Sequence, residues 1–193
     1  MASSKKKPRP GRLRIVAGKW RSRLLDIADV PGLRPTSERI RETLFNWLAP
    51  AIPGARCLDL FAGTGALGLE ALSRGAGDVV FVEKSPVAAK VLRDNVQVLD
   101  ASIADVRQAD ALAFIETPPG KKFDIVFLDP PFAADMLGDL CRLIDEVSLL
   151  GSGALVYLEE DRARPETDLP PGWHILKSKT AGNVRYSLAQ VDQ

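Results

Sequence analysis

The stretch LDLFAGTGALGLEAL, residues 58–72, decides the fold. An apolar run ends at three closely spaced glycines, Gly63, Gly65 and Gly68, and a segment with helical periodicity follows. Glycine lets the backbone turn sharply and approach a ligand closely, at the point where helix amides face that ligand. Glu83 ends the next apolar run about 20 residues on, where an acid can hold ribose hydroxyls. The stretch therefore predicts a strand, a nucleotide-binding turn and a helix, with a purely structural turn as the alternative.

The chain after residue 55 alternates strand patterns with helix patterns. Strands are predicted at 56–61, 78–83, 104–110, 123–129 and 154–159, and helices at 65–73, 86–99, 111–115 and 135–148. This alternation predicts a parallel sheet with right-handed crossovers. Two further strands, 173–179 and 184–190, are separated by four residues, too few for a crossover, so they predict an antiparallel hairpin. We expect an α/β, Rossmann-like fold with a mostly parallel seven-stranded sheet and a C-terminal antiparallel hairpin.

An amphipathic helix is predicted ahead of these strands, within RPTSERIRETLFNWL (34–48). Pro35 would open it, with Thr36 or Ser37 as the N-cap. One face carries apolar residues and another carries polar ones: Ile40, Leu44, Trp47 and Leu48 against Arg39, Glu42, Thr43 and Asn46. The polar face is either functional or simply solvated.

A basic N-terminal extension precedes this helix. Residues 1–23 hold nine basic side chains and no acid, whereas the remainder holds 17 basic and 25 acidic ones, a net charge of −8. A basic segment on an acidic body predicts a polyanionic partner, because phosphate neutralisation releases counterions. For residues 5–7 a solvated tail is the alternative, whereas the interleaved apolar residues of 12–23 favour a structured, functional segment. We divide the chain into a basic arm, 1–33, and a domain, 34–193, that includes the helix at 35–48.

Composition excludes several other classes. Hydrophobic residues make up 46% and charged residues 26% of the 193, as in ordinary globular proteins. No apolar run is long enough for a membrane span, and no signal peptide is visible. Cys57 and Cys141 lie in apolar segments, which predicts buried thiols in a reducing cytoplasm, and with His174 as the one histidine we expect no metal.

The stretch FDIVFLDPPF, residues 123–132, ends an apolar strand in a stiff corner. Prolines have no amide hydrogen and a fixed φ, so the Asp129 carboxylate and the Pro130 carbonyl can both accept hydrogen bonds from a substrate amine. Phe132 can stack on a base that has left its stack. A turn with a core phenylalanine is the alternative for an isolated D-P-P. A cofactor site next to this corner would favour the functional interpretation over the structural one.

Two cofactors fit the glycine turn. A nicotinamide dehydrogenase needs a proton donor, but Tyr157 and Tyr186 have no lysine four residues later, and His174 lies in the predicted hairpin. A site for S-adenosylmethionine needs acids near three successive strands, and Asp59, Glu83 and Asp110 supply them. The residues therefore favour S-adenosylmethionine.

These motifs together resemble the class I methyltransferases, and among them the small-subunit (16S) ribosomal RNA guanine-N2 methyltransferases of the RsmD type. The similar segments span about 14–190: RIVAGKWRSRLL (14–25), RPTSERIRETLFNWL (34–48), LDLFAGTGALGLEAL (58–72), FVEKS (81–85) and FLDPPF (127–132). The D-P-P-F corner is shared by amine methyltransferases in general, and the first two segments are more specific. Residues 1–13 extend beyond the start expected for the family.

The resemblance implies a site for each partner. Cofactor contacts would come from Asp59, Phe61, Ala62, Gly63, Thr64, Gly65, Glu83, Lys84, Asp110 and Ala111. The amine site would be Asp129, Pro130, Pro131 and Phe132. The charge pattern of the basic arm and the resemblance together predict contacts to RNA from Arg12, Arg14, Lys19, Arg21, Arg23, Arg34, Thr36, Arg39 and Asn46. The partner would be ribosomal RNA, within a small-subunit particle or assembly intermediate, and the enzyme a cytoplasmic monomer that releases S-adenosylhomocysteine, with no membrane and no metal.

Other classes remain as alternatives. A DNA adenine-N6 methyltransferase normally carries a target-recognition insertion, for which this chain has no room. A protein glutamine methyltransferase normally has asparagine at the place of Asp129. A nicotinamide oxidoreductase and a noncatalytic RNA-binding module are the remaining alternatives.

Overall fold

The computed structural model describes residues 11–117 and 120–192. The strands are β1 (Arg12–Arg14), β2 (Leu24–Asp26), β3 (Arg56–Asp59), β4 (Asp78–Glu83), β5 (Ala104–Gln108), β6 (Phe123–Leu128), β7 (Leu150–Asp161), β8 (Trp173–Ala181) and β9 (Val184–Val191). The helices are α1 (Glu38–Leu48), α2 (Ala66–Ser73), α3 (Pro86–Val98), α4 (Ala111–Glu116) and α5 (Leu137–Glu146), with a short 3-10 turn at Phe132–Ala134. None of these helices has the length and apolar character needed to cross a membrane.

A seven-stranded sheet runs through the molecule in the order β5-β4-β3-β6-β7-β9-β8. The first five strands in that order are parallel, and β9 and β8 are antiparallel to their neighbours. The predicted fold class is therefore confirmed. The chain reverses its direction of progress across the sheet between β3 and β6, and ligands of such sheets bind at the carboxyl ends of the strands beside that reversal.

Local sequence explains where most elements begin and end. The hydroxyl of Ser37 caps α1 by accepting from the Ile40 amide at 3.3 Å, so this helix starts at residue 38 and Pro35 lies ahead of it instead of opening it. The cap of α3 is Ser85 with Pro86 at the first helical position, as predicted. The β8–β9 connection is tighter than expected. Ala181 pairs with Val184 across a two-residue turn, because Gly182 adopts a φ of 59°.

One hydrophobic core lies between the sheet and the helices α1, α2 and α3. Side chains of the N-terminal segment are part of this core. Strands β1 and β2 form an antiparallel hairpin that the sequence did not predict. Leu13, Ile15, Trp20 and Leu25 are buried in the same cluster as side chains of α1 and the sheet. The proposed boundary after residue 33 therefore runs through a continuous core, and what we predicted as an arm packs onto the domain from β1 onward. Predictions for residues 1–10 lie outside the described residues.

Glu70 fastens this hairpin to α2. Its fully buried carboxylate accepts from the backbone amides of Val16 (2.8 Å) and Ala17 (3.0 Å) and forms ion pairs with Arg41 (3.1 Å) and Arg74 (2.8 Å). A buried charge is costly unless it is paired and hydrogen-bonded, and here both oxygens are engaged. The four contacts explain an acid within an otherwise apolar helix.

The loop between β1 and β2 is also fixed against the end of α2. The Lys19 amide donates to the Ser73 carbonyl at 2.7 Å, and the Trp20 amide donates to the Ser73 hydroxyl at 3.0 Å. Gly18 allows this approach, since its φ is +84° and a Cβ there would lie 1.9 Å from the Ser73 oxygen. The basic loop is thus attached at a defined place.

Candidate active site

A cleft of about 1160 Å³ opens at the carboxyl ends of β3, β4, β6 and β7. The segment 30–37, which leads into α1, forms one wall, and the glycine turn after β3 forms another. The ends of β4 and β5 close one side, and the corner after β6 closes the other. Residues 30–33 and the hairpin residues Ala181 and Val184 also form part of the wall, and the sequence did not predict that they would.

The glycine turn is held close to the sheet. The Ala62 amide donates to the Val82 carbonyl at 2.9 Å, and Gly65 adopts the left-handed conformation (φ 76°) as the N-cap of α2. Gly63 also has a positive φ, and a Cβ on it would come within 3.0 Å of the Leu33 side chain. Gly68 has a different purpose, because a Cβ there would lie 2.2 Å from the Phe81 ring. The first two glycines shape the cleft, and the third lets α2 pack on β4.

Glu83 ties the glycine turn to the start of α3. Its Oε2 accepts from the Gly63 amide at 2.8 Å and its Oε1 accepts from the Ser85 amide at 2.7 Å. A carboxylate has about four lone-pair sites, so both oxygens can accept further hydrogen bonds. The side chain is half-buried and lines the cleft, where it can hold a ligand's hydroxyl groups.

Asp59, at the end of β3, holds the first turn of α2 next to the glycine turn. It is buried, and its Oδ2 accepts from the Gly68 amide at 2.9 Å. Burial raises the pKa of this carboxyl to about 7, although the Gly68 hydrogen bond opposes the shift. Its contact to the backbone of α2 makes it a support of the cleft as well as part of its lining.

Asp110 and Lys84 meet at the open side of the cleft. Asp110 caps α4 by accepting from the Leu112 amide at 3.0 Å, and its other oxygen accepts from Lys84 Nζ at 2.9 Å. The Lys84 hydrogen bond is the main reason that the pKa of Asp110 is lowered. Lys84 is largely exposed and Asp110 is partly exposed, so the pair forms a polar rim that can contact the outer part of a ligand.

The corner after β6 differs from an ordinary turn in the hydrogen bonding of its two proline carbonyls. Pro131 precedes the 3-10 turn, and its carbonyl accepts from the Ala134 amide at 2.9 Å. In contrast, the Pro130 carbonyl accepts no backbone hydrogen bond from the described residues. Phe132 is half-buried at the cleft wall. The corner therefore places a carboxylate, a free carbonyl and an aromatic ring along one wall.

The electrostatics of Asp129 are unusual. Burial raises its pKa well above the ordinary value, and the nearby Glu159 and Asp59 carboxylates raise it further, while a hydrogen bond from the Thr36 side chain opposes these effects. Perturbed carboxyl groups in clefts are common at catalytic sites. Asp129 can accept a hydrogen bond and take up a proton.

The profile of the family described as "Conserved hypothetical protein 95" matches residues 13–190. The chain belongs to this family. A relative from Escherichia coli named "Ribosomal RNA small subunit methyltransferase D" is 43% identical over 180 residues, covering 93% of this chain and 90% of the relative. The family resemblance inferred from sequence is therefore confirmed.

Solved structures give the same relationship. The structure of "Putative methyltransferase yhhF from Escherichia coli" superposes with a TM-score of 0.88 at 41% identity, over 94% of this chain and 99% of that one. "A putative sam-dependent methyltransferase from Streptococcus mutans" superposes with a TM-score of 0.75 at 15% identity, over 98% of this chain and 57% of that one. At that low identity the second likeness shows the fold alone.

The cleft collects most of the predicted cofactor residues and the whole predicted corner. All the cofactor residues except Gly65 line it, as do residues 129–132. The residues predicted to contact RNA lie partly in the cleft and partly outside it. Arg34 and Thr36 line the cleft, whereas Arg39 and Asn46 lie on the exposed face of α1 outside its lining.

The remaining predicted RNA contacts belong to the N-terminal hairpin. Arg12 pairs with Asp26 (3.2 Å) and Arg14 with Glu38 (2.8 Å), both at the surface. Lys19, Arg21 and Arg23 are exposed on the loop attached to Ser73, whereas the glycine turn lies at the other end of α2. Eight helical residues separate the two ends by about 12 Å. The basic loop therefore lies apart from the cleft.

Glu159 lines the cleft but was not predicted from the sequence, and neither was its contact with the buried Tyr157. Glu159 is buried near the end of β7 and lines the cleft, and the Tyr157 hydroxyl donates to its Oε2 at 2.5 Å. Burial raises the pKa of Glu159, while the Tyr157 hydrogen bond opposes the shift. The signal was present in the sequence, since Glu159 ends an apolar run just as Glu83 and Asp129 do.

No set of three or more His, Cys, Asp or Glu side chains within the described ranges is arranged to hold a metal ion. Cys57 and Cys141 are buried free thiols, and burial raises the pKa of both.

Proposed function

We propose that this protein transfers a methyl group from S-adenosylmethionine to the exocyclic N2 amine of a guanine in small-subunit ribosomal RNA. The observation that carries the proposal is the position of the Asp129 carboxylate and the free Pro130 carbonyl in the same cleft as the glycine turn. The name of the Escherichia coli relative supports the RNA substrate. Such an enzyme would work in the cytoplasm, and the proposed groups all come from one chain, which suits a monomer.

The cleft suits S-adenosylmethionine. At Gly63 the backbone approaches the Leu33 side chain so closely that a Cβ would lie 3.0 Å from it, so a side chain here would narrow the cleft. Glu83 has lone pairs left that can accept from the ribose hydroxyls of the cofactor. Carboxylates of Asp59, Glu83, Asp129 and Glu159 line the cleft. Burial disfavours the charged forms of three of these acids, so a cationic sulfonium beside them is favoured because it would stabilise the charged forms, whereas the anionic pyrophosphate of a nicotinamide dinucleotide would raise their pKa values further.

The bound cofactor supplies an activated methyl group, so the residues of the chain mainly supply position. Asp129 and the Pro130 carbonyl would accept the two hydrogens of the amine and orient its lone pair. Phe132 would stack on the base, a contact worth about 1–3 kcal/mol. Orientation of this kind can contribute about 7–11 kcal/mol at best. The raised pKa of Asp129 lets its carboxylate take the proton that the methylated amine loses.

Incubation with radiolabelled S-adenosylmethionine tests the proposal directly. Naked small-subunit RNA and assembled small-subunit particles are offered separately, and the labelled nucleotide is mapped and hydrolysed to identify the methylated base. We expect N2-methylguanine at one position. Label on adenine, on protein or on no substrate would contradict the proposal.

A further inference from the structure

Glu159 lies next to Asp129 on the neighbouring strand. Leu128 of β6 pairs with Leu158 of β7 in parallel register, and Asp129 and Glu159 are the next residue of each chain segment. Neighbouring strands are about 4.8 Å apart, so the two side chains leave the same face of the sheet side by side. Both line the cleft, and the Glu159 charge acts on Asp129.

The orientation of the Glu159 side chain is fixed by Tyr157, which lies in the core beneath it. Tyr157 is fully buried, packs edge-on against Phe127 with ring centroids 6.4 Å apart, and donates its hydroxyl to Glu159 Oε2. Glu159 itself is 7% exposed, and its Oε1 accepts no hydrogen bond from any side chain or amide in the described ranges. Because Glu159 lines the cleft and Tyr157 engages only its Oε2, Oε1 has lone pairs that can accept from a donor on a ligand.

The target base proposed above offers two donors in the matching arrangement. The Watson–Crick edge of guanine presents the N1 hydrogen beside the 2-amine, whereas adenine presents an acceptor at N1. Two adjacent acceptors, Asp129 and Glu159, therefore match guanine. In a base without a hydrogen at N1, the N1 lone pair would face the Glu159 carboxylate, and two acceptors would repel each other.

We propose that Glu159 reads the identity of the base: its Oε1 accepts the N1 hydrogen of guanine while Asp129 and the Pro130 carbonyl hold the 2-amine. The proposal rests on the proposed function, and it makes Glu159 a specificity-determining residue. Tyr157 is a positioning residue that keeps Oε1 directed at the base.

A base analogue separates this role from a structural one. 2-Aminopurine keeps the 2-amine of guanine but has no hydrogen at N1. An RNA with 2-aminopurine at the mapped target position is made by ligating a synthetic oligonucleotide into the RNA. The kcat/KM for methyl transfer is then measured on this RNA and on the same RNA with guanine. The wild-type enzyme should prefer guanine. Glu159→Gln should reduce that preference about 10- to 100-fold, because a charged hydrogen bond is lost with guanine and the amide can donate to N1 of the analogue.

Tyr157→Phe should reduce the preference by a smaller factor, since Glu159 keeps its charge but loses its fixed orientation. Glu160→Gln is the matched control. Glu160 is the next residue of β7, pairs with Arg185 at 3.2 Å and does not line the cleft, so the preference should stay at the wild-type value. Binding of S-adenosylmethionine by each variant confirms that the cleft is folded.

The outcomes are distinguishable. Equal preference in the wild-type and Glu159→Gln enzymes, with both rates lowered by the same factor, would overturn the proposal. If Glu159→Gln is too slow to assay, the dissociation constants of the two RNAs for the enzyme loaded with S-adenosylhomocysteine give the same ratio. A wild-type enzyme that methylates no guanine would instead reject the proposed function.

Discussion

The Glu83 carboxylate allows the cofactor assignment to be tested with one atom changed. In Glu83→Gln one oxygen still accepts from the Gly63 or the Ser85 amide, but the new NH₂ group faces the other amide, so two donors oppose each other. A half-buried donor that loses its partner costs about 1–3 kcal/mol of folding free energy. The predicted ribose contact also weakens, since hydrogen bonds to a charged group contribute about 1.5–3 kcal/mol each. We therefore expect the Kd for S-adenosylmethionine to rise about 10- to 100-fold.

Calorimetric titration with S-adenosylmethionine and S-adenosylhomocysteine measures this change. Glu83→Ala should weaken binding further, because both backbone acceptors are lost. Glu146→Gln is the matched control, since Glu146 is exposed at the end of α5 and outside the cleft, and its Kd should equal the wild-type value. Urea unfolding of each variant gives the folding free energy separately.

One result would refute this reasoning. If Glu83→Gln binds S-adenosylmethionine within about twofold of wild type while its folding free energy falls, Glu83 holds the glycine turn and does not contact the cofactor. Tight binding of NAD by the wild-type protein, with no binding of S-adenosylmethionine, would reject the cofactor itself.

Three further predictions concern single residues, and a fourth concerns the N-terminal basic segment. Asp129→Ala should slow methyl transfer at least about 100-fold at an unchanged cofactor Kd, and Asp129→Asn should slow it less because its amide oxygen still accepts; single-turnover rates with labelled cofactor check both. The pKa of Asp59 is about 7, above its unfolded value, so the stability from its bound proton is complete below about pH 4 and is lost as the pH rises through 7. Urea unfolding across that range should therefore show a flatter pH dependence for Asp59→Asn. Glu70→Gln should lower the folding free energy by about 3–5 kcal/mol, because it leaves the buried Arg41 charge uncompensated, and a loss below about 1 kcal/mol would contradict the role of the ion pair. Deleting residues 1–10 removes four cations and should make the salt dependence of RNA binding shallower by up to about 3 in log–log slope, whereas identical slopes would show that these cations do not bind phosphate.

The sheet and the cleft were predictable because their signals are local. The run FDIVFL is apolar throughout, as expected of a strand buried on both faces, and it forms β6 at 123–128. Acids that follow or end such runs meet at one edge of a parallel sheet, so Asp59, Glu83 and Asp129 could be placed in one cleft from spacing alone. The same rule applied to the run ending at Glu159 would have added that residue.

The N-terminal hairpin was not predictable in the same way. Strands β1 and β2 are three residues long, and their exposed positions include arginines, so charge dominated the pattern. Their position depends on Glu70, which accepts from Val16 and Ala17 more than fifty residues away in sequence. An acid inside the apolar helix ALGLEALS is the one trace of this contact in the sequence. Contacts of such long range leave no periodicity to detect.

This placement changes what the basic residues can do for an RNA substrate. Had residues 12–23 been a detached arm, they could have followed RNA to the cleft, but the hydrogen bonds to Ser73 hold the loop at the far end of α2. An RNA that contacts both the basic loop and the glycine turn must then span the length of α2, about 12 Å. That is about four nucleotides at the 3.4 Å spacing of one duplex strand. If the proposed function holds, phosphates at the loop would belong to nucleotides about four or more positions from the target guanine, and an RNA of two or three nucleotides would contact the cleft without the loop.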